Sequence, residues 1–248
     1  MPIDISERKG VRYLHFGSEW VQGAMRIRRP YDLELAYTRE MMAGLLLREE
    51  PWPRSALVVG LGAGSLVRFC RHHLPSCRLQ VVEIEPRVVA AARQFFVLPP
   101  EDTHLSIALA DAADYILSHE RHYDCILVDG YDAQARAGAL DTQPFYQACR
   151  ARLSDAGLLA VNLFGRSRGY RASLERLIAA FDDRVLAFPS CDSGNVVAFA
   201  AEGERVRASL GELRQRAEAL RERTGLDLRD TLSRIEKAGS LPGGELIL

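Results

Sequence analysis

The spacing of apolar residues changes near residue 56, and that change divides the chain. Upstream, "VRYLHFGSEWVQGAMRI" carries β-type residues on both sides of Gly17-Ser18 and predicts a short hairpin. "PYDLELAYTREMMAGLLL" comes next with Leu33, Leu35, Ala36, Met41, Leu45 and Leu46 at helical spacing, and "REEPWPRS" reads as the connection that ends this helix. Downstream, five short apolar strands alternate with helices: "ALVVGLG", "LQVVEIE", "LSIALAD", "YDCILVDG" and "GLLAVNLFG". That rhythm means a parallel sheet covered on both faces. The last two strands, "RVLAFPS" and "NVVAFAAE", are separated only by "CDSG", too short for a parallel crossover, so they should pair antiparallel. The expected fold is α/β, a mostly parallel seven-stranded sheet over residues 51–202 that ends in an antiparallel hairpin. A short β-hairpin and helix precede it over 1–50. The tail, 203–248, is charged and reads as a solvated amphipathic helix on the body or at a subunit interface, with "SLPGGELIL" docked or frayed at the end.

Composition narrows the partners. A net charge of -1 provides no bulk field for nucleic acid or an anionic membrane, so neither is expected as a partner. No run approaches a transmembrane helix, and "MPIDISERKGVRYLHF" lacks the apolar core of a signal peptide, so a cytoplasmic location is expected. The five cysteines form no CxxC pair, and their odd count suits reduced thiols. His72-His73 and His119-x-x-His122 have no cysteine or acid at ligand spacing; both read as exposed helix residues, and no metal is expected. Trp20 and Trp52 read as packing residues.

Candidate chemistry begins at "LVVGLGAGS". Gly60, Gly62 and Gly64 lie between a buried strand and a helix whose free N–H groups can face a ligand. The dinucleotide fingerprint would need glycine at 65, where Ser65 stands. Glu83, ending the second strand in "VVEIEP", can accept both hydroxyls of a ribose, with Ile84 beside it, while Glu85 suits helix capping. This serves NAD and S-adenosyl ligands equally. Asp111, followed by small Ala112 and Ala113, suits an adenine amino group close to the backbone, or simply caps the next helix. Taken in order with the terminal hairpin, these features define a class I S-adenosylmethionine methyltransferase-like Rossmann fold. In "YDCILVDGYDAQA", Asp129 ends the fourth strand, where ligands of open α/β sheets bind, and Asp132 lies just after it on the loop. Two carboxylates there can hold a cationic amine, and one can take its proton.

The order "GLGAGS", "VVEIEP", "LADA", "YDCILVDGYD", "PFYQACRARLSDAGLLAVN", with "WVQGAM" and "YTREMM" upstream, resembles the polyamine aminopropyltransferase family, the spermidine synthases, over roughly residues 11 to 200. The resemblance implies transfer of a 3-aminopropyl group from decarboxylated S-adenosylmethionine to a small-molecule amine, with methylthioadenosine as product, and a homodimer. It implies that Gln22, Glu83, Asp111 and Ala112 hold the nucleoside, that Asp129 is the catalytic base, and that Asp132 binds the amine. The sequence also departs from the family. Ala63 replaces a loop aspartate, Ala133 a motif proline, and the Y-H-E-M-like segment reads Thr38-Arg39-Glu40-Met41, with Tyr37 one position off. Tyr37 and Arg39 are counted as candidate acceptor contacts, and Arg28 and Arg166 as further ones at the mouth. An arginine near a dication would repel it. These departures keep open a methyltransferase using intact S-adenosylmethionine, and a nucleoside-binding protein without catalysis.

Overall fold

The computed structural model describes residues 2–132, 134, 136–191, 194–239 and 241–248. Ala133, where the family's motif proline would fall, lies outside the described residues. So do two residues of the "CDSG" connection, Asp192 and Ser193.

The N-terminal segment is a three-stranded antiparallel sheet, β1 (Asp4–Arg8), β2 (Val11–His15) and β3 (Val21–Arg26), in that order. The sequence shows the β2–β3 hairpin. β1 is mostly exposed, so "DISER" has no apolar alternation to reveal it. The helix expected from residue 30 is also shorter. Helix α1 covers only Ala36–Met41 and tightens into a 3-10 turn over Met42–Leu46. Residues 30–35 are held out of the helix by side chains that take their carbonyls. Arg39 donates to the Leu33 and Glu34 oxygens at 3.0 and 2.7 Å, and Arg68 to the Pro30 oxygen at 2.7 Å.

The central sheet contains β4 (Ser55–Val59), β5 (Arg78–Glu83), β6 (Leu105–Leu109), β7 (Tyr123–Val128), β8 (Leu153–Phe164), β9 (Val185–Ala187) and β10 (Asn195–Ala201). Their order is β6-β5-β4-β7-β8-β10-β9. The first five are mutually parallel, and β10 runs antiparallel to both β8 and β9. Helices α2 (Ser65–His73), α3 (Pro86–Phe95), α4 (Ala112–Ser118), α5 (Gln143–Ala151) and α6 (Tyr170–Ala180) cover the faces. Alternate residues of β4 feed two separate cores: Ala56 and Val58 one, Leu57 and Val59 the other. Burial on both faces explains the unbroken apolar runs. Local chemistry sets the helix starts. Glu85 caps α3 with Pro86 in its first turn, Asp111 caps α4, and Thr142 caps α5.

The tail is built into the body. Strand β11 (Arg207–Ser209) pairs with β12 (Glu245–Ile247), so "GELIL" is docked, and helices α7 (Leu210–Thr224) and α8 (Arg229–Lys237) lie between them. Leu213, Leu220, Leu232 and Ile235 are buried in the same cluster as Leu14, Leu46 and Leu158. One core therefore draws on all three parts of the chain. No described helix is long and apolar enough to cross a membrane.

Candidate active site

A cavity of about 750 Å³ opens at the carboxyl ends of β4 to β8, under the N-terminal sheet. Open α/β sheets bind ligands at this edge. Gln22, Tyr37, Gly60, Gly62, Glu83, Ile84, Asp111, Ala112, Asp129 and Asp132 all line it. Gly64 caps α2 from beneath, with left-handed backbone angles, and is outside the lining. Arg39 is outside it too, because its guanidinium is spent on the carbonyls before α1. Neither Arg28 nor Arg166 lines the cavity.

The strand order splits the cavity into two halves. The half over β4, β5 and β6 holds the glycine loop. Gly60 has φ 88, and a Cβ there would lie 2.4 Å from the Asp129 carbonyl oxygen, so only glycine allows the loop to pass β7 this closely. Glu83 is buried, and its two oxygens accept the N–H groups of Leu61 at 2.8 Å and Glu85 at 2.9 Å. Each carboxylate oxygen has a second lone pair, so the acid can brace the loop and still accept from a ribose. Asp111 caps α4 through Ala113 N–H at 2.8 Å and is exposed to the cavity. Ile84 is 67% exposed, an apolar surface of the kind an adenine ring covers. Ala63 is buried against Gly23 of β3, where a Cβ on Gly23 would lie 2.5 Å from its own. Its side chain is outside the lining, so it places no charge on the ligand.

The other half, over β7 and β8, is built around Asp129. Asn162 Nδ2 donates to Asp129 Oδ1 at 2.8 Å, and the Tyr37 hydroxyl donates to Oδ2 at 3.2 Å. Asn162 is itself held by Asn195 Nδ2 at 2.9 Å, and its carbonyl accepts from the Tyr131 hydroxyl at 2.6 Å. Desolvation pushes the Asp129 carboxyl up to about 6, against the two donors that favour its charged form. Burial and the neighbouring carboxylate raise the Tyr37 phenol well above its usual range, so it stays a donor. Tyr37 thus takes the cavity position, while Thr38 turns back to the Leu35 carbonyl at 2.7 Å.

Asp132 is engaged differently. Its Oδ1 accepts the N–H groups of Gln134 and Arg136 at 2.8 and 2.9 Å, and its Oδ2 accepts Arg136 Nε at 2.9 Å. Desolvation alone would raise this carboxyl; the hydrogen bonds from Arg136 and Gln134 outweigh it and hold it below the usual range. Trp20 and Phe164 meet at 5.6 Å and form an aromatic wall; Trp20 is 52% exposed and lines the cavity, whereas the sequence predicts a packing residue.

Sequence reasoning passed over Asn162, Asn195, Tyr131 and Arg136. One signal was available. An asparagine inside "GLLAVNLF" is a polar group in a strand buried on both faces, which must be paired with something.

This sheet order, with a glycine loop after the first strand and acids ending the second, third and fourth, defines a class I S-adenosyl-nucleoside fold. Residues 34–162 match the spermine/spermidine synthase domain. The polyamine aminopropyltransferase of Chromobacterium violaceum is 36% identical over 246 residues, covering 99% of this chain and 94% of that protein. The chain belongs to the spermine/spermidine synthase family. Human methyltransferase-like protein 13, solved in complex with SAH, superimposes with a TM-score of 0.69 at 27% identity, covering 77% of this chain and 93% of that one. A spermidine synthase in complex with the transition-state analogue AdoDATO gives 0.61 at 21% identity, covering 81% and 74%, and shares the fold.

Proposed function

We propose that this chain transfers a 3-aminopropyl group from decarboxylated S-adenosylmethionine to a primary amine, releasing methylthioadenosine. The observation that carries this reading is Asp129: a buried carboxylate at the centre of the half over β7 and β8, held on its two oxygens by Tyr37 and Asn162 and pushed by desolvation up to about 6. A base of that pKa is mostly ionised at neutral pH and is a better proton acceptor than an ordinary aspartate, so it can take the proton that nitrogen gives up as its bond to carbon forms.

The amine nitrogen attacks the carbon next to the sulfonium. A C–N bond forms, the C–S bond breaks, and its electron pair returns to sulfur as a neutral thioether. The proton leaving nitrogen goes to Asp129. Tyr37 and Asn162 fix the carboxylate so that its remaining lone pairs face the incoming amine, and most of the acceleration comes from positioning. Gln22, Gly60, Gly62, Glu83, Ile84, Asp111 and Ala112 hold the nucleoside, and Gly64 sets the start of α2 beneath it. Asp132 stands on the acceptor side. Arg39 supports Tyr37 by fixing the start of α1. A homodimer in the cytoplasm completes the reading, and sedimentation of the purified protein tests the dimer.

Methyl transfer is the second reading, favoured by the likeness to methyltransferase-like protein 13 at 27% identity. The test offers the protein both intact and decarboxylated S-adenosylmethionine with a panel of amines, and identifies the nucleoside product by mass spectrometry. Methylthioadenosine that disappears in Asp129→Asn supports aminopropyl transfer. S-adenosylhomocysteine in its place establishes methyl transfer.

A further inference from the structure

We infer that Asn195, the first residue of β10, is a positioning residue for Asp129: it locks the Asn162 amide in the orientation that favours the ionised carboxylate. With Asp129 read as the proton acceptor of aminopropyl transfer, Asn195 acts on it at one remove, through a second side chain.

Strand direction brings the three residues together. β7 and β8 are parallel with Val128 beside Val161, so Asp129 and Asn162 are the next neighbours at the carboxyl edge. β10 is antiparallel and begins where those strands end. Its register sets Val197 opposite Asn162, and Asn195, two residues earlier, lies diagonally from Asn162 on the same face. Leu127, Ala160 and Val197 carry that face into one core, and the polar row stands at its rim, lining the cavity. Asn195 Nδ2 donates to Asn162 Oδ1 at 2.9 Å, and Asn162 Nδ2 donates to Asp129 Oδ1 at 2.8 Å. The backbone is fixed at both asparagines. The Asn195 carbonyl accepts from Cys191 N–H at 3.0 Å, and the Asn162 carbonyl from the Tyr131 hydroxyl at 2.6 Å.

An amide can face a carboxyl group either way round. Its NH2 group donates to the carboxylate and favours the charged form. Turned over, its oxygen accepts from the protonated carboxyl and favours the neutral form. Asn195 breaks this symmetry. If Asn162 turned over, two NH2 groups would face each other at a residue only 4% exposed, and a buried bond would be lost. The lock therefore withholds the orientation that a protonated Asp129 needs. The ionisable groups around Asp129 are the Tyr37 and Tyr131 phenols, with the Cys191 thiol facing Tyr37 and Asp141 facing Tyr131. Burial raises both phenols, so they remain neutral while Asp129 titrates.

The test titrates protein labelled with 13C at its aspartate carboxyls by NMR, where the resonance missing from Asp129→Asn identifies Asp129. Asn195→Leu, which removes the donor and keeps the bulk, should move that titration upward by about half a pH unit, an approximately threefold gain in proton affinity. In an Asn162→Ala background the same change should move nothing. Asn195→Asp turns the donor into an acceptor and should move the titration further; its bare charge is read separately in the Asn162→Ala background. The acid limb of kcat/KM, measured with diaminobutane throughout so that the amine's own titration cancels, should follow the NMR shift. A titration unmoved or lowered by Asn195→Leu, or moved equally without Asn162, overturns the inference and leaves aminopropyl transfer standing. Absence of methylthioadenosine from the wild type overturns aminopropyl transfer, and the NMR titration still decides for or against the lock.

Discussion

Asp129 carries opposite demands from folding and from chemistry. Its carboxyl is pushed from 3.8 up to about 6 by desolvation, so the fold prefers it protonated while the reaction needs it ionised. The stabilising contribution of the protonated form is fully present below 3.8 and is lost as pH rises through about 6. The shift corresponds to about 3 kcal/mol against the ionised form. Differential scanning fluorimetry should therefore show Asp129→Asn gaining stability relative to wild type as pH rises from about 4 to about 7, with the difference level above that. The same substitution should lower kcat by about a hundredfold or more. In the wild-type enzyme, kcat/KM should fall on acidification with an apparent pKa of about 6. Asn162 holds that value down through its hydrogen bond, so Asn162→Ala should move the acid limb of the pH–rate profile upward. A limb that stays in place would remove Asn162 from the tuning of the base. At this scale the sequence was informative about acids and silent about their partners. Asp129 was legible because a strand-end acid in an open sheet faces the ligand edge. Asn162 and Arg136 were not, because a single donor 33 residues away, or a loop arginine folding back on Asp132, leaves no periodic trace.

Helix α1 is the element that brings Tyr37 to Asp129, and it is anchored from the far end of the chain. Glu40, on the same short helix, is 1% exposed and meets Arg234 of α8, with the Thr231 hydroxyl donating to it at 3.3 Å. Removing one partner of a buried pair leaves the other charge stranded, so Arg234→Met should cost about 3 kcal/mol in a denaturant titration. Adding Glu40→Gln should recover part of it, since the orphaned charge is then gone. Failure of the second change to help would mean that Arg234 contributes through its packing. The central strands and helices were legible because apolar runs of strand length alternate with capped amphipathic helices. "PYDLELAYTREMMAGLLL" misled because its apolar spacing continues through residues that Arg39 and Arg68 hold by their carbonyls, and these tertiary contacts override the period. The tail was legible only as an amphipathic helix on the body, without α8 or the β11–β12 pair. Its charge-rich surface hides a narrow stripe, Leu213, Ala217 and Leu220, that reaches the core.

Across the whole molecule, the N-terminal sheet, the central sheet and the tail share one buried cluster, and that sharing sets how the protein tolerates truncation. A chain ending at Glu202 would uncover the 3-10 turn at Leu46 and leave the Leu46 carbonyl without Arg216, which donates to it at 2.9 Å. Such a chain should be recovered in inclusion bodies, or melt without cooperativity by circular dichroism; a cooperative, soluble product would show that the tail is dispensable. The donor nucleoside should act the other way, since a ligand that binds only the folded state at a hundred times its Kd adds about 2.7 kcal/mol. The thiols supply a means of following both. Cys70, Cys77, Cys125 and Cys149 are buried in the two cores, and burial raises each of them well above the ordinary thiol range. Attack on an alkylating reagent requires the thiolate, so these four side chains are silent while the molecule is closed and report when it opens. The chain thus carries its own stopwatch: the rate at which a mass spectrometer records alkylation at each position times the opening of each core, with no dye or tag added.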